Sequence, residues 1–303
     1  MSPNPTPAVD TDRDEIADFA GLAGRAHRAI ETLHALNYFA PEVEAALVET
    51  GLRPGRMAYF AGRSAAMGPV GPGVVTATFY NFNPELVARF IPRAWGLAGC
   101  PEILAARLVG VEQAYHRLLG PELLASPELA ELAALTRQAV EGIGVEGRPL
   151  YAAHADLPWP EPVPLRLWHA VTLLREHRGD GHLAALIRRE LNGIDAIVSH
   201  TASGRGFTPA AAQRLRGWSE EQWQASVERL RARGVIEPDG LRLSEAGRQL
   251  RDTVEANTDE LAIAPWRQLG ATGTERVIEL GKQLSRVAIA NGAYPDGVFS
   301  ARS

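Results

Sequence analysis

The feature that most constrains this chain is its periodicity. Apolar residues recur three and four apart in one segment after another, while the alternation that a strand requires is nearly absent. The stretch "DEIADFAGLAGRAHRAIETLHAL" carries this spacing over 16–36. The same pattern predicts helices in "PEILAARLVGVEQAYHRLL", "SPELAELAALTRQAVEGI" and "TERVIELGKQLSRVAI". Shorter helices are predicted at 43–50 and over "GRMAYFAGRSAAM", the latter closed by Gly68-Pro69. "GPVGPGVV" reads as a corner that no helix crosses. Another helix is predicted from Pro84, with Asn83 as its cap and Pro84 in the first helical position. The expected fold class is all-α.

"DLPWPEPVPLR" sets four prolines between Pro158 and Pro164, which makes it the best domain boundary in the chain. The expected organisation is a disordered tail at 1–12, then a helical ligand-binding or packing domain at 13–157. A winged-helix domain with its preceding helices follows at 165–260, then a C-terminal helix and tail at 261–303. The net charge is −5, carried almost wholly by arginine and acids, with Lys282 the single lysine. Such a chain is no general nucleic-acid sponge, so a basic patch has to be argued locally. Cys100 stands alone, so no intrachain disulfide forms, and it is read as inert. There is no membrane-spanning apolar run, and "MSPNPTPAVDTDRDE" lacks the features of a secretory signal. A soluble cytoplasmic protein with no membrane partner is expected.

Residues 208–251 carry the most recognisable pattern. Thr208 suits the N-cap of a short helix, and Ser219 caps a second, with Gln222 completing a capping box. The second helix sets Trp223, Val227 and Leu230 on one face. Strand-like "GVIE", a "PDG" turn, "LRLS" and a helix from Glu245 complete a helix-turn-helix with a small β wing. "RLRARGVIEPDGLRLSEAGRQL" resembles the MarR-type winged-helix regulators. From "NYFAPE" through "GPVGPGVVTATFYNFNP" to "LSEAG", the chain is similar to a family of actinobacterial winged-helix proteins. The resemblance implies a fold and a homodimer, and no chemistry.

The second helix of such a unit enters the major groove with its N-terminal residues at the bases. Here Glu220, Glu221 and Glu228 balance Arg229, Arg231 and Arg233, so the helix nets zero. Over 205–251, nine arginines against six acids leave +3. Arg205, Arg214, Arg216 and Arg242 are the candidates for phosphate contacts with double-stranded DNA. Gln222 and Gln224 are the candidates for base contacts.

"REHRGDGH" reads first as a helix corner, with Gly179 in the left-handed position and Asp180 capping the next helix. Chemically, His177 at a helix end and His182 at a helix start are pushed toward opposite protonation states. His182 as base, His177 as acid, and Asp180 and Arg178 as positioning groups would then make an enzyme site. No metal-ligand, P-loop, dinucleotide or GxSxG pattern is present, and neither a metal nor a cofactor is expected. The second candidate site is a pocket for a small molecule, walled by Tyr59, Phe60, Phe79 and Tyr80. Arg63 and Asn81 are its polar anchors, with Tyr38-Phe39 adjoining and Trp168 and His169 from the buried helix. The leading functional expectation is a small-molecule-responsive winged-helix regulator that binds DNA. The alternatives are an enzyme acting on a small metabolite in the same helical pocket, and a non-catalytic metabolite-binding or resistance protein.

Overall fold

The computed structural model describes residues 9–299, and the regular elements among them are all helices. The tail expected at 1–12 lies outside the described residues as far as residue 8; residues 9–12 open the first helix. The elements run α1 (Val9–Ala35), α2 (Pro41–Glu49), α3 (Arg56–Ser64), α4 (Pro72–Phe79), α5 (Pro84–Phe90), α6 (Cys100–Leu124) and α7 (Pro127–Val140). They continue with α8 (Pro149–Ala155), α9 (Val163–Arg188), α10 (Gly193–Ala202), α11 (Pro209–Arg216), α12 (Glu220–Ala232), α13 (Glu245–Leu261) and α14 (Ile263–Ala290).

Caps and prolines set many of these boundaries. Asn83 accepts from Glu85 N, Ser126 from Leu129 N, Thr208 from Ala211 N, and Ser219 shares a capping box with Gln222. Each satisfies an amide that the first turn leaves unpaired. The "GPVGPGVV" corner holds only as far as Gly71. Pro72 stands in the first turn of α4, where its missing N–H costs nothing.

Two apolar cores result. The larger joins α1 through α8, the first half of α9, and α14, which runs along α1. The smaller joins the end of α9 to α10, α11, α12, the 235–243 turn and α13. Their shared member, α9, is one unbroken helix of 26 residues. The corner expected at Gly179 does not form. Arg148 explains why: it donates to the carbonyls of His177 and of Leu261, 2.5 Å in the latter case, and lies across Gly181, where a Cβ would meet its Nη1 at 2.9 Å. The glycine admits a clamp across the middle of the helix, and tertiary packing outweighs its poor helix propensity.

The β wing also needs correcting. No strand forms among the described residues. The 235–244 turn is closed by a single antiparallel bridge, Ile236 to Leu243, with Glu237 N donating to Arg242 O at 2.9 Å. Arg231 bonds the carbonyls of Glu237 and Gly240 at 3.3 and 2.9 Å, folding the turn back onto α12 before a ladder can extend.

Candidate functional site

Between α2, α3 and α6 the larger core opens into a cavity of about 190 Å³. Its apolar walls include Val43, Leu47 and Ala58. Tyr38, Tyr59, Arg56, Arg63 and Arg107 supply the polar groups, with Glu44 also lining it. The Glu44 carboxylate accepts from Gly55 N.

Arg63 donates to Tyr59 Oη at 3.4 Å and to Glu176 Oε2 at 3.3 Å, and its guanidinium lies over the Phe79 ring at 4.4 Å. Glu176 is 2% exposed and also accepts from Arg175 at 3.2 Å. Burial pushes its carboxyl up, but the Arg63 and Arg175 guanidiniums prevail and hold it well below the usual carboxylate range. Burial likewise raises the Tyr59 phenol, but Arg63 and Arg216 bring it below its ordinary value.

Arg107 is 5% exposed. Its Nη1 donates to Gly62 O at 2.8 Å and to His154 Nε2 at 3.3 Å, while its Nε has no partner. His154 Nδ1 lies 2.8 Å from Leu150 O, so the proton sits on Nδ1 and Nε2 is the acceptor. Among the described residues no carboxylate bonds Arg107, and burial draws its pKa down to about 10, still charged near neutrality.

A hydrogen-bonded chain leads inward from Tyr38. Thr172 Oγ1 donates to Trp168 O at 2.7 Å, so it accepts from His34 Nδ1 at 3.0 Å. His34 Nε2 is then left to accept from Tyr38 Oη at 2.7 Å. Burial, first of all, holds the His34 pKa far down and keeps the ring neutral.

The cavity's aromatic backing is tied to the helix-turn-helix. Tyr59, Phe60, Phe79 and Phe82 form one ring cluster, with Phe60 and Phe82 edge to face at 5.0 Å. Directly after Phe79, Asn81 N donates back to Phe79 O at 2.7 Å, which makes a γ-turn around Tyr80 (φ 59°, ψ −56°). That conformation is rare and strained for a residue with a side chain. It carries the chain from one core to the other: Phe79 packs in the larger, and Tyr80 packs in the smaller and donates to Leu191 O at 2.6 Å.

The next residues clasp the turn between α11 and α12. Asn81 O accepts from Trp218 Nε1 at 3.0 Å, and Asn83 N donates to Arg216 O at 2.9 Å. Asn83 Nδ2 donates to Gly217 O and Gln222 Oε1 at 3.0 and 3.1 Å. Gly217 adopts the left-handed conformation (φ 74°) that closes the turn. Arg216 turns inward, its guanidinium 4.3 Å from the Phe82 ring and 5.0 Å from that of Phe207.

Of the pocket residues expected from sequence, Tyr59 and Arg63 line the cavity. Phe60 and Phe79 stand behind them in the ring cluster, while Tyr80 and Asn81 join the helix-turn-helix. Trp168 lies under Arg107, 5.1 Å from its guanidinium, and His169 meets Trp159 edge-on at 4.7 Å. The signal for Arg107 lay in its spacing: Ile103, Arg107, Val111, Ala114 and Leu118 form one buried row, an arginine on an apolar stripe.

The expected catalytic quartet is dispersed. His177 packs against Tyr151, with ring centroids 5.2 Å apart, and its Nδ1 has no partner. His182 Nδ1 donates to Thr258 Oγ1 at 2.8 Å. Asp180 accepts from Leu150 N and Tyr151 N at 3.1 and 2.9 Å, capping α8 from across the bundle instead of capping its own helix. Arg178 pairs with Asp259 at 2.7 Å and Glu255 at 3.5 Å. The opposed protonation expected for the two histidines does not arise. With no helix end at either, burial dominates and lowers both to about 3.

On the helix-turn-helix surface, Arg205, Arg214 and Arg242 are exposed, as are Glu220, Glu221, Gln224 and Glu228. Gln222 is held by the capping box and Asn83, and Gln224 donates to Glu220 at 2.8 Å. Arg229 and Ser226 both bond the buried carboxylate of Asp195, at 2.8 and 2.5 Å, seating α12 on α10. No single helix among the described residues is long and apolar enough to cross a membrane.

The profile of a helix-turn-helix family matches residues 23–295, and the chain belongs to that family. Membership suggests a DNA-binding regulator in general terms. No curated protein and no solved structure matches the chain.

Proposed function

We propose that the protein is a small-molecule-responsive transcriptional regulator with a much-reduced wing, acting as a homodimer. The cavity walled by Tyr38, Tyr59 and Arg63 is its effector site. The α11–α12 unit meets DNA, with Arg205, Arg214 and Arg242 on phosphates and Gln224 at the base edges. One observation carries this reading: Asn81 and Asn83, at the end of the aromatic wall, hydrogen-bond to the very turn that orients α12. A ligand that shifts the wall has no slack through which to lose the motion before it reaches α12.

A second reading keeps the cavity and drops the DNA. It describes a metabolite-binding protein whose α12 packs against another protein, and the exposed Glu220, Glu221 and Glu228 favour it. A salt titration by fluorescence anisotropy, on duplex DNA from upstream of the protein's own gene, separates the two. Three phosphate-binding arginines per subunit predict a log–log slope of about −5 for a dimer, and Arg214→Ala or Arg242→Ala should each flatten it by about 1 per subunit. Absent or salt-insensitive binding would refute the regulator.

A further inference from the structure

The charge around the cavity is unbalanced. Three guanidiniums, from Arg56, Arg63 and Arg107, line it. Two carboxylates face them: Glu44, which lines the cavity and accepts from Gly55 N, and Glu176, bonded to Arg63 and Arg175. Arg107 is the extreme member. It is buried, it lines the cavity, it bonds only a carbonyl and a neutral imidazole, and its Nε is left without an acceptor. A buried cation with no counterion is a costly arrangement, since removing a charge from water demands either a paired anion or a full set of acceptors. His154 cannot supply that anion, because its one lone pair is already used and burial keeps it neutral.

We infer that the cavity binds a small organic carboxylic acid, whose carboxylate meets Arg107 and Arg63 and whose apolar body lies against Val43, Leu47 and Tyr59. The guanidinium fork suits a carboxylate better than a neutral carbonyl, because two parallel charge-assisted hydrogen bonds form. Tyr38 does not compete for the anion, since its hydroxyl proton is committed to His34. The size of the space sets the scale. At about 190 Å³ it exceeds the roughly 150 Å³ of an engineered cavity that takes benzene, so one ring with a short acidic side chain fits. The carboxylate supplies the charge that Glu44 and Glu176 leave missing, so the ligand is selected by charge as much as by shape.

This inference rests on the cavity being the effector site, but its test contains no DNA and so fails or succeeds independently of gene control. Calorimetric titration of the full chain would compare 3-phenylpropanoate with its isosteric amide, 3-phenylpropanamide, and with inorganic phosphate. The acid is expected to bind at least about tenfold more tightly than the amide. In Arg107→Met that preference should vanish, while the ligand-free melting temperature holds or rises, because an unpaired buried charge has been replaced by an apolar chain. Arg107→Lys keeps the charge without the fork and should retain part of the preference. The inference is overturned if acid and amide bind wild type equally. It also fails if neither binds below about 1 mM, if phosphate binds as tightly as the acid, or if Arg107→Met keeps the discrimination.

Discussion

Acidification from about pH 7.5 to about pH 5.5 should remove at least roughly 3 kcal/mol from the stability of the folded chain. The minimum comes from three histidines, His154, His169 and His177, which are 1%, 3% and 2% exposed; His34, His182 and His200, also held down by burial, add to it. Burial first, and the neighbouring Arg107 or Arg148 second, hold their pKa values at about 3, 4 and 3. In the unfolded chain a histidine takes its proton near 6.5, so below that pH the unfolded state binds protons that the folded state refuses. Stability therefore falls as pH falls through 6.5 toward 4. One pH unit below 6.5, each histidine costs about 1.4 kcal/mol, or about 4 kcal/mol for the three. Asp180 works in the opposite direction. Burial raises its carboxyl to about 6, so the folded state is protonated before the unfolded one and offsets about 1 kcal/mol by pH 5.5. The net loss is a large share of a typical total of about 5–15 kcal/mol. Urea unfolding followed by the fluorescence of the six tryptophans would read it. With a slope of about 3 kcal/mol per molar, the midpoint should drop by at least about 1 M between the two pH values, and His154→Gln should take about 0.5 M off that drop. A midpoint that holds steady or climbs on acidification would refute the assignment of these rings as buried and neutral.

Asn83→Ala removes a helix cap and two bonds to the α11–α12 turn, and should cost about 2–3 kcal/mol in chemical unfolding. It should also speed amide exchange across 216–222, and unchanged exchange there would deny that Asn83 holds the turn. Gly110→Ala would set a Cβ 2.5 Å from Val43 Cα, forcing α2 off α6 and spreading the cavity's own wall. A loss of about 1–3 kcal/mol with weakened ligand binding is expected, and a neutral result in both measurements would contradict the packing described.

The helices were legible wherever a cap and an apolar stripe coincided, as at Asn83-Pro84, Thr208 and Ser219 with Trp223, Val227 and Leu230. They are obscured where a distant group overrules a local signal. Gly179, Asp180 and Gly181 carry every local mark of a corner, yet Arg148, about thirty residues away in sequence, clamps that stretch into a straight helix. The "GVIE" and "LRLS" segments have strand composition, but the carbonyls of the turn between them are drawn to Arg231 instead of extending a ladder. Short α8 has no stripe long enough to detect, and its decisive cap, Asp180, comes from another helix. Of the cavity, Tyr59 and Arg63 were visible as an aromatic pair beside a charge. Arg107 carries no such local mark, because an arginine inside a long helix ordinarily faces water, and only its row-mates Ile103 and Val111 say otherwise.

The unbroken course of α9 has a mechanical consequence. At 26 residues it is a shaft about 39 Å long, seated at one end among Leu167, Trp168 and Val171, and at the other beside Leu191 and Ile194. A hinged connection would absorb a disturbance at either seat; a stiff one hands it on. A tilt of about three degrees imposed at one end swings the far end by about 2 Å, comparable to the helix displacements by which regulatory proteins change state. Glu176, which anchors Arg63 at the cavity, lies near the middle of that shaft.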